Sequence, residues 1–272
     1  MTVPRLTVAT AQFAVTAEPR RNAEAMVALL RRAKEGGADV AHFPEGALSG
    51  YPGAQFDTWR GYDWAALEAA QEKVAAACRV FGLWAVYGSG RRWEGDSPPR
   101  NSVIVIDSDG AQRACYDKRC CSRRELDHFT PGDNAVTVDI GGVRCGILIC
   151  LEWSFPQLWQ AYAANGVDLV FLSAYGAGLQ GPHLHTDVVP PTLQGHAFTN
   201  SLFISVSNAS NSQQAFASHW VKRSGRRGGA CRRHRAGLVV SSIADDGERD
   251  AFYRKVRKFR AARLGRLSGG QS

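Results

Sequence analysis

The segment Arg144-Cys-Gly-Ile-Leu-Ile-Cys-Leu-Glu-Trp-Ser-Phe-Pro-Gln157 decides the reading of this chain. An apolar β-rich run ends at Cys150, and a helix start follows within a few residues. Ser154 with Gln157 three positions later fits a capping box, and Pro156 is tolerated in a first helical turn. Cys150 is therefore expected on a strand-to-helix turn near a positive helix end, a placement that favours the nucleophilic thiolate. The N–H of Leu151 is then a candidate donor to an oxyanion. Taken alone, the segment equally suits a small buried side chain closing a strand. Cys145, inside the same strand, reads as packing.

Working outward, short apolar runs alternate with amphipathic helices. Strands are expected at Leu6–Gln12, Asp39–Phe43, Leu83–Gly88, Ser102–Asp107 and Ala114–Tyr116. Further strands are expected at Val136–Ile140, Val143–Ile149, Leu169–Leu172 and Leu202–Ser207, with Ser218–Val221 and Leu238–Ile243 as a late strand pair. Helices are expected at Glu18–Glu35, Trp64–Phe81 and Phe155–Asn165, with a basic one at Ala251–Leu264. Loops are expected at Glu94–Arg100, Tyr175–Pro191 and Arg223–Arg235, the last Gly/Arg-rich and a candidate for disorder. The turns at Asp107-Ser-Asp-Gly110 and Gly141-Gly142 mark hairpins. Hairpins mixed with helix-linked strands predict an α/β protein of mixed sheets covered by helices.

The 272 residues, 44% of them hydrophobic and 21% charged, suffice for a sizeable core. No apolar run reaches the roughly 18 residues of a membrane span. A secretory signal is not expected at the N-terminus, and seven cysteines without one suggest reduced thiols and a cytoplasmic location. Between residues 222 and 266 there are 15 Lys/Arg against 4 Asp/Glu, and the rest of the chain carries 18 against 21. Few aromatics interleave with the basic residues, so nucleic acid is not the expected partner.

Three more residues carry chemistry. Glu45, in Phe43-Pro-Glu-Gly46, follows a strand on a rigid turn, where burial would raise a carboxyl toward the range of a general base. Lys118, in Cys115-Tyr-Asp-Lys118, follows a strand and suits an oxyanion-stabilising ammonium. Glu125, in Arg123-Arg-Glu-Leu-Asp-His-Phe-Thr-Pro-Gly-Asp133, orients Lys118 or the substrate, or pairs with Arg123 or Arg124. Each position alone also suits a surface residue. Gly176-Ala-Gly-Leu-Gln-Gly181 matches a dinucleotide fingerprint, but Pro182 and His183 follow in place of a helix. His183 and His185 lack the neighbours of a zinc site. That loop better lines a substrate pocket, with Tyr175 and His183 as candidate contacts.

The ordered set (Pro-Glu after a strand, Tyr-x-Lys after a strand, Glu before Phe-x-Pro-Gly, then strand-Cys-x-Glu-x-x-Phe-Pro) resembles the nitrilase superfamily of carbon–nitrogen hydrolases. The resemblance runs from Ala9-Thr-Ala-Gln12 to about Ile243. It implies a single-domain α-β-β-α sandwich with two mixed sheets, here residues 1–250, followed by a basic helix and tail at 251–272. It implies Cys150 as nucleophile, Glu45 as base, Lys118 as oxyanion stabiliser and Glu125 as supporting carboxylate. It further implies a small amide-type substrate (an amide or N-carbamoyl compound), no metal or organic cofactor, and pairing of two copies through their helices. A nitrile substrate or a catalytically silent binding role are the alternatives; nitrilases are usually longer chains. Three positions depart from the family pattern: Cys120 stands where His is frequent, and His196 and Thr199 stand at places often basic and acidic. Glu152, two residues after Cys150, reads as a structural acid.

Overall fold

The computed structural model describes residues 5–93, 95, 97–178, 184–243, and 252, 253, 255, 256 and 259. Its elements are β1 (Thr7–Gln12), α1 (Pro19–Glu35), β2 (Val40–His42), α2 (Trp64–Phe81), β3 (Trp84–Arg91), β4 (Arg100–Ile106) and β5 (Gln112–Asp117). Then come β6 (Thr137–Ile140), β7 (Val143–Ile149), α3 (Pro156–Ala164), β8 (Leu169–Ala174), α4 (Leu184–Asn200), β9 (Phe203–Asn208), β10 (His219–Val221), β11 (Arg227–Ala230) and β12 (Gly237–Ser242).

The strands form two six-stranded sheets in the orders β12-β1-β2-β3-β4-β5 and β11-β10-β9-β8-β7-β6. Each has a parallel centre flanked by antiparallel strands. The parallel strands are connected through α1 and α2 in one half and α3 and α4 in the other, because parallel neighbours need a helical crossover. Three apolar layers follow. Met26, Leu30 and Val74 pack the first two helices on one sheet. Val8, Val86, Ile147 and Phe171 fill the space between the sheets. Trp159, Val189 and Leu193 pack the other helices on the second sheet. This is an α-β-β-α sandwich in one domain. Cys145 lies fully buried between the sheets, as its packing role requires.

The helix ends follow local rules. Asp63 caps α2 by accepting from the Ala66 N–H at 2.9 Å, and Gly82 ends it at φ 58°, a left-handed conformation that glycine adopts without strain. Gly141 and Gly142, both at positive φ, make the two-residue turn between β6 and β7.

Three expectations are corrected. The segments near 218–221 and 238–243 do not pair: β10 joins β9 and β11, whereas β12 lies on β1 in the other sheet. The segment 223–235 contains β11, with Gly228 beneath the Trp220 ring, and its end is held by the buried Gln12 side chain through the carbonyls of Arg232 and Arg235. The expected loop at 175–191 gives way to α4, which runs through Pro190 and Pro191. A mid-helix proline costs about 3 kcal/mol in isolation; burial of Val189, Pro190 and Leu193 outweighs it here. The helix expected over 251–264 falls mostly outside the described residues, of which 252, 253, 255, 256 and 259 are helical.

The topology places the chemistry at one end of the sandwich. The strands β1, β2, β3, β7, β8 and β9 present their carboxyl ends, where open α/β sheets form crevices. Two antiparallel steps make β5 run in the same direction as β3, so Lys118 emerges at the same end as Glu45. The turn carrying Glu45 is clasped by β3: the Gly88 N–H donates to Pro44 O at 3.0 Å and the Leu48 N–H donates to Gly88 O at 3.0 Å. A Cβ on Gly88 would stand 2.5 Å from Pro44 O and 2.6 Å from the Glu45 Cα. Gly88→Ala is therefore expected to cost about 1–3 kcal/mol, seen by calorimetry as a Tm lower by roughly 2–12 °C. An unchanged Tm would show that β3 does not set the position of that turn.

Candidate active site

Glu45, Lys118 and Glu125 meet at the carboxyl ends of the strands. Lys118 and Glu45 are about 1% exposed and Glu125 about 6%. Lys118 Nζ donates to Glu45 Oε1 at 2.9 Å and to Glu125 Oε1 at 2.5 Å. An ammonium has three N–H bonds, so one remains. Asn101 Nδ2 donates to Glu45 Oε1 at 2.7 Å, and the Tyr175 N–H donates to Glu45 Oε2 at 2.9 Å. On Glu125, Oε1 also accepts from the Tyr51 hydroxyl at 3.0 Å, and Oε2 accepts from the Ser122 N–H at 2.7 Å.

Two carboxylates share one cation, and their surroundings divide them. Full burial pushes the Glu45 carboxyl up against the pull of Lys118, and the Glu125 charge adds to the rise. Glu125 is also penalised by burial, but Lys118, Ser122 and Tyr51 together hold it below the usual carboxylate range. The carboxylates hold the Lys118 ammonium well above the ordinary lysine value despite the burial that opposes it. Lys118 is thus a fixed cation, and Glu45 is the carboxyl with the raised proton affinity.

Cys150 opens a short 3₁₀ turn, Cys150–Ser154, at φ 43°, a left-handed conformation unusual for a side chain with a Cβ. Such strain persists where surrounding structure over-determines it. The determinant here is Glu152. Its carboxylate accepts from the Ile149 N–H at 2.8 Å, the Arg119 N–H at 2.9 Å, the Cys120 N–H at 3.1 Å and the Tyr116 hydroxyl at 2.7 Å. One buried acid thereby ties the turn that bears Cys150 to the segment that follows Lys118. Cys120 takes part through its backbone, so exchanging its side chain leaves this tie in place.

The thiol corrects one expectation. Burial and then the Glu45 charge push Cys150 up, while Lys118 and the Tyr175 N–H pull less strongly the other way. The thiol is held protonated at neutral pH, and the proximity of a helix start does not decide its state. The capping box at Ser154 and Gln157 does not form either. Ser154 Oγ donates to Leu151 O at 2.8 Å, and α3 begins with Pro156 at its first turn without a side-chain cap.

Leu151 is half-buried next to Cys150 in the 3₁₀ turn. Tyr175 enters the site through its backbone. Its ring stacks on Tyr51 at 5.0 Å and its hydroxyl accepts from Gln55 Nε2 at 2.5 Å. His183 lies outside the described residues. His196 is buried, stacked on Trp159 at 4.7 Å, with Nε2 against Trp153 O at 3.0 Å, which explains how a family-typical basic position takes an imidazole. Burial lowers its pKa. Thr199 Oγ1 donates to Gly195 O within α4. The sequence reading missed Asn101 and Tyr51. Asn101 falls between the expected loop at 94–100 and the expected strand at 102–107 and carries no local signal, whereas Gly50-Tyr-Pro-Gly53 after Glu45 does signal a fixed turn. Among the described residues, no group of three or more His, Cys, Asp or Glu is placed to hold a metal ion.

A protonated thiol beside a carboxyl of raised proton affinity and a fixed ammonium is equipped for nucleophilic acyl chemistry. Residues 7–232 match the family model of the carbon–nitrogen hydrolases, and the chain belongs to that family. The chain is 29% identical over 116 residues to a deaminated glutathione amidase of Yersinia enterocolitica, covering 38% of this chain and 41% of that one. It is 30% identical over 122 residues to an N-carbamoylputrescine amidase of Solanum tuberosum, covering 42% and 41%. The chain thus spans about two fifths of the length of these relatives. An amidase of Nesterenkonia sp. AN1, solved as a double mutant with acrylamide, superposes with a TM-score of 0.79 at 21% identity over 98% of both chains.

Because the Glu45 charge raises the thiol while Lys118 lowers it, Glu45→Gln should make Cys150 easier to ionise. Iodoacetamide labelling of the Cys150 peptide, followed by mass spectrometry across pH, should show a midpoint shifted downward. A midpoint unchanged or raised would contradict this placement of the charges.

Proposed function

We propose that this protein hydrolyses the C–N bond of a small amide or N-carbamoyl compound through a thioester on Cys150. The observation that carries the reading is Lys118, shared by Glu45 and Glu125 beside the half-buried Cys150.

In the proposed cycle, Glu45 takes the thiol proton as Cys150 Sγ attacks the carbonyl carbon. The remaining N–H of Lys118 and the Leu151 N–H hold the oxyanion. The C–N bond breaks as Glu45 passes its proton to the departing nitrogen, leaving a thioester. Glu45 then deprotonates a water that attacks the same carbon. The C–S bond breaks, the acid leaves, and the proton returns to sulfur. Glu125 keeps Lys118 oriented and charged. Tyr175 acts through its N–H on Glu45 and with its ring as a wall of the pocket. The names of the two relatives support amide and N-carbamoyl substrates. A structure of the Nesterenkonia amidase that carries acrylamide added at its active site cysteine supports the role given to Cys150.

The seven free cysteines support a reducing compartment such as the cytoplasm. No helix among the described residues is long and apolar enough to cross a membrane. Leu184 and Phe155, exposed at the starts of α4 and α3, support pairing of two copies through their helices.

An ammonia-release screen across ω-amides, N-carbamoyl amino acids, aliphatic amides and nitriles tests the assignment. Turnover is expected on an amide or carbamoyl compound, with Cys150→Ala inactive and Glu45→Gln reduced about 10²-fold or more. Because Glu45 is raised, activity should fall on acidification through a midpoint above the ordinary glutamate value of about 4.3. Near-normal turnover by Cys150→Ala would overturn the reading.

A further inference from the structure

Asn101 is 2% exposed and stands across the ladder from Lys118, one step beyond the Ser102–Asp117 pair of β4 and β5. Its carbonyl accepts from the Lys118 N–H at 2.8 Å. Residues paired in this way present their side chains on one face, so amide and ammonium enter the site side by side. An ionised carboxylate only accepts, so the amide turns its nitrogen toward the two glutamates. Asn101 Nδ2 donates to Glu45 Oε1 at 2.7 Å and to Glu125 Oε1 at 3.3 Å. Lys118 Nζ donates to the same two oxygens. Two nitrogens and two oxygens thus close a ring of alternating donors and acceptors.

The ring leaves the two oxygens of Glu45 unequal. A carboxylate oxygen offers two lone-pair sites. At Oε1 both are taken, by Lys118 and Asn101. Among the described residues, Oε2 accepts from the Tyr175 N–H alone, at 2.9 Å, which leaves one site open. The same N–H also draws on the Cys150 sulfur and favours its thiolate, which puts the thiol on the Oε2 side. The titratable groups acting on or facing Glu45 are Lys118, Glu125, Cys150, Cys121, Tyr51 and Tyr175. Asn101 is the neutral partner among them. A second cation in its place would hold Glu45 ionised and weaken it as a base, and a carboxylate would repel it. An amide fills the oxygen without either effect.

We propose that Asn101 is a positioning residue which, together with Lys118, occupies Oε1 of Glu45 and so directs the Cys150 proton to Oε2; this rests on the reading of Glu45 as the base. As the sulfur attacks, the S–H bond breaks, an Oε2–H bond forms, and the sulfur keeps the electron pair that bonds to the carbonyl carbon. Lys118 keeps its three protons throughout. The proton on Oε2 then passes to the departing nitrogen, and Oε1 stays hydrogen-bonded in both states of the carboxyl.

Neutron diffraction from crystals of the full chain in deuterated solvent, held below the Glu45 midpoint, tests the choice of oxygen. Deuterium is expected on Oε2, with three on Lys118 Nζ; deuterium on Oε1 would overturn the proposal. Carbon-13 titration of labelled glutamate carboxyls in Asn101→Leu, checked for folding by its melting curve, tests the residue. Loss of one donor to the charged form should raise the Glu45 midpoint by about one pH unit. The carboxylate is then lost at higher pH, so the acid limb of turnover should move up with it. A packing role alone would lower the Tm and leave the midpoint in place. An unchanged or lowered midpoint in folded Asn101→Leu would also overturn the proposal, and if that variant does not fold, the neutron result decides. Deuterium position and carboxyl titration need no turnover. An active Glu45→Gln would remove the base assignment, whereas these two results judge Asn101 separately.

Discussion

The ammonium of Lys118, buried between two carboxylates, is the interaction on which the rest of the site depends. A buried lysine is costly unless it is paired and hydrogen-bonded, and removing one partner of such a cluster is more disruptive than any surface change. Glu45 and Glu125 both accept from the cation, at 2.9 and 2.5 Å. To do so, residues at one end of four different strands must converge. Glu45 comes from the turn after β2, Lys118 from the end of β5, Asn101 from β4, and the Tyr175 N–H from the end of β8 in the other sheet. The two sheets are thus joined at this end by polar contacts, and elsewhere by the apolar layer between them.

That arrangement also separates two properties of the cysteine. Its position is fixed by Glu152, through a strained φ of 43°. Its protonation is set by burial and by the two carboxylates acting against Lys118. A thiol held protonated next to a carboxyl of raised proton affinity keeps the reactive form scarce until the proton has a destination. On the proposed mechanism, Glu45 is that destination, and its burial gives it the required affinity.

Much of this was legible in the sequence. The four residues Glu45, Lys118, Glu125 and Cys150 stand in a fixed order after strands, and strand periodicity together with the family resemblance anticipated the sandwich. What stayed hidden is what depends on contacts between distant segments. Asn101 lies on an ordinary strand 56 residues from the carboxylate it donates to. The pairing of β12 with β1 spans most of the chain, so the local pattern at 238–243 pointed to the wrong neighbour. The charge state of Cys150 escapes a sequence reading for the same reason, since helix proximity is local, whereas burial and Glu45 are tertiary. Local propensity likewise puts Pro190 and Pro191 in a loop, and packing in α4 overrides it.

The central claim is that burial and a shared cation split two neighbouring carboxyls in opposite directions. Carbon-13 NMR of protein labelled at the glutamate side-chain carboxyl, assigned with Glu45→Gln and Glu125→Gln, measures this directly. The account predicts that the Glu45 signal titrates above the ordinary value of about 4.3 and that of Glu125 below it. A Glu45 signal that titrates at or below that value would contradict it.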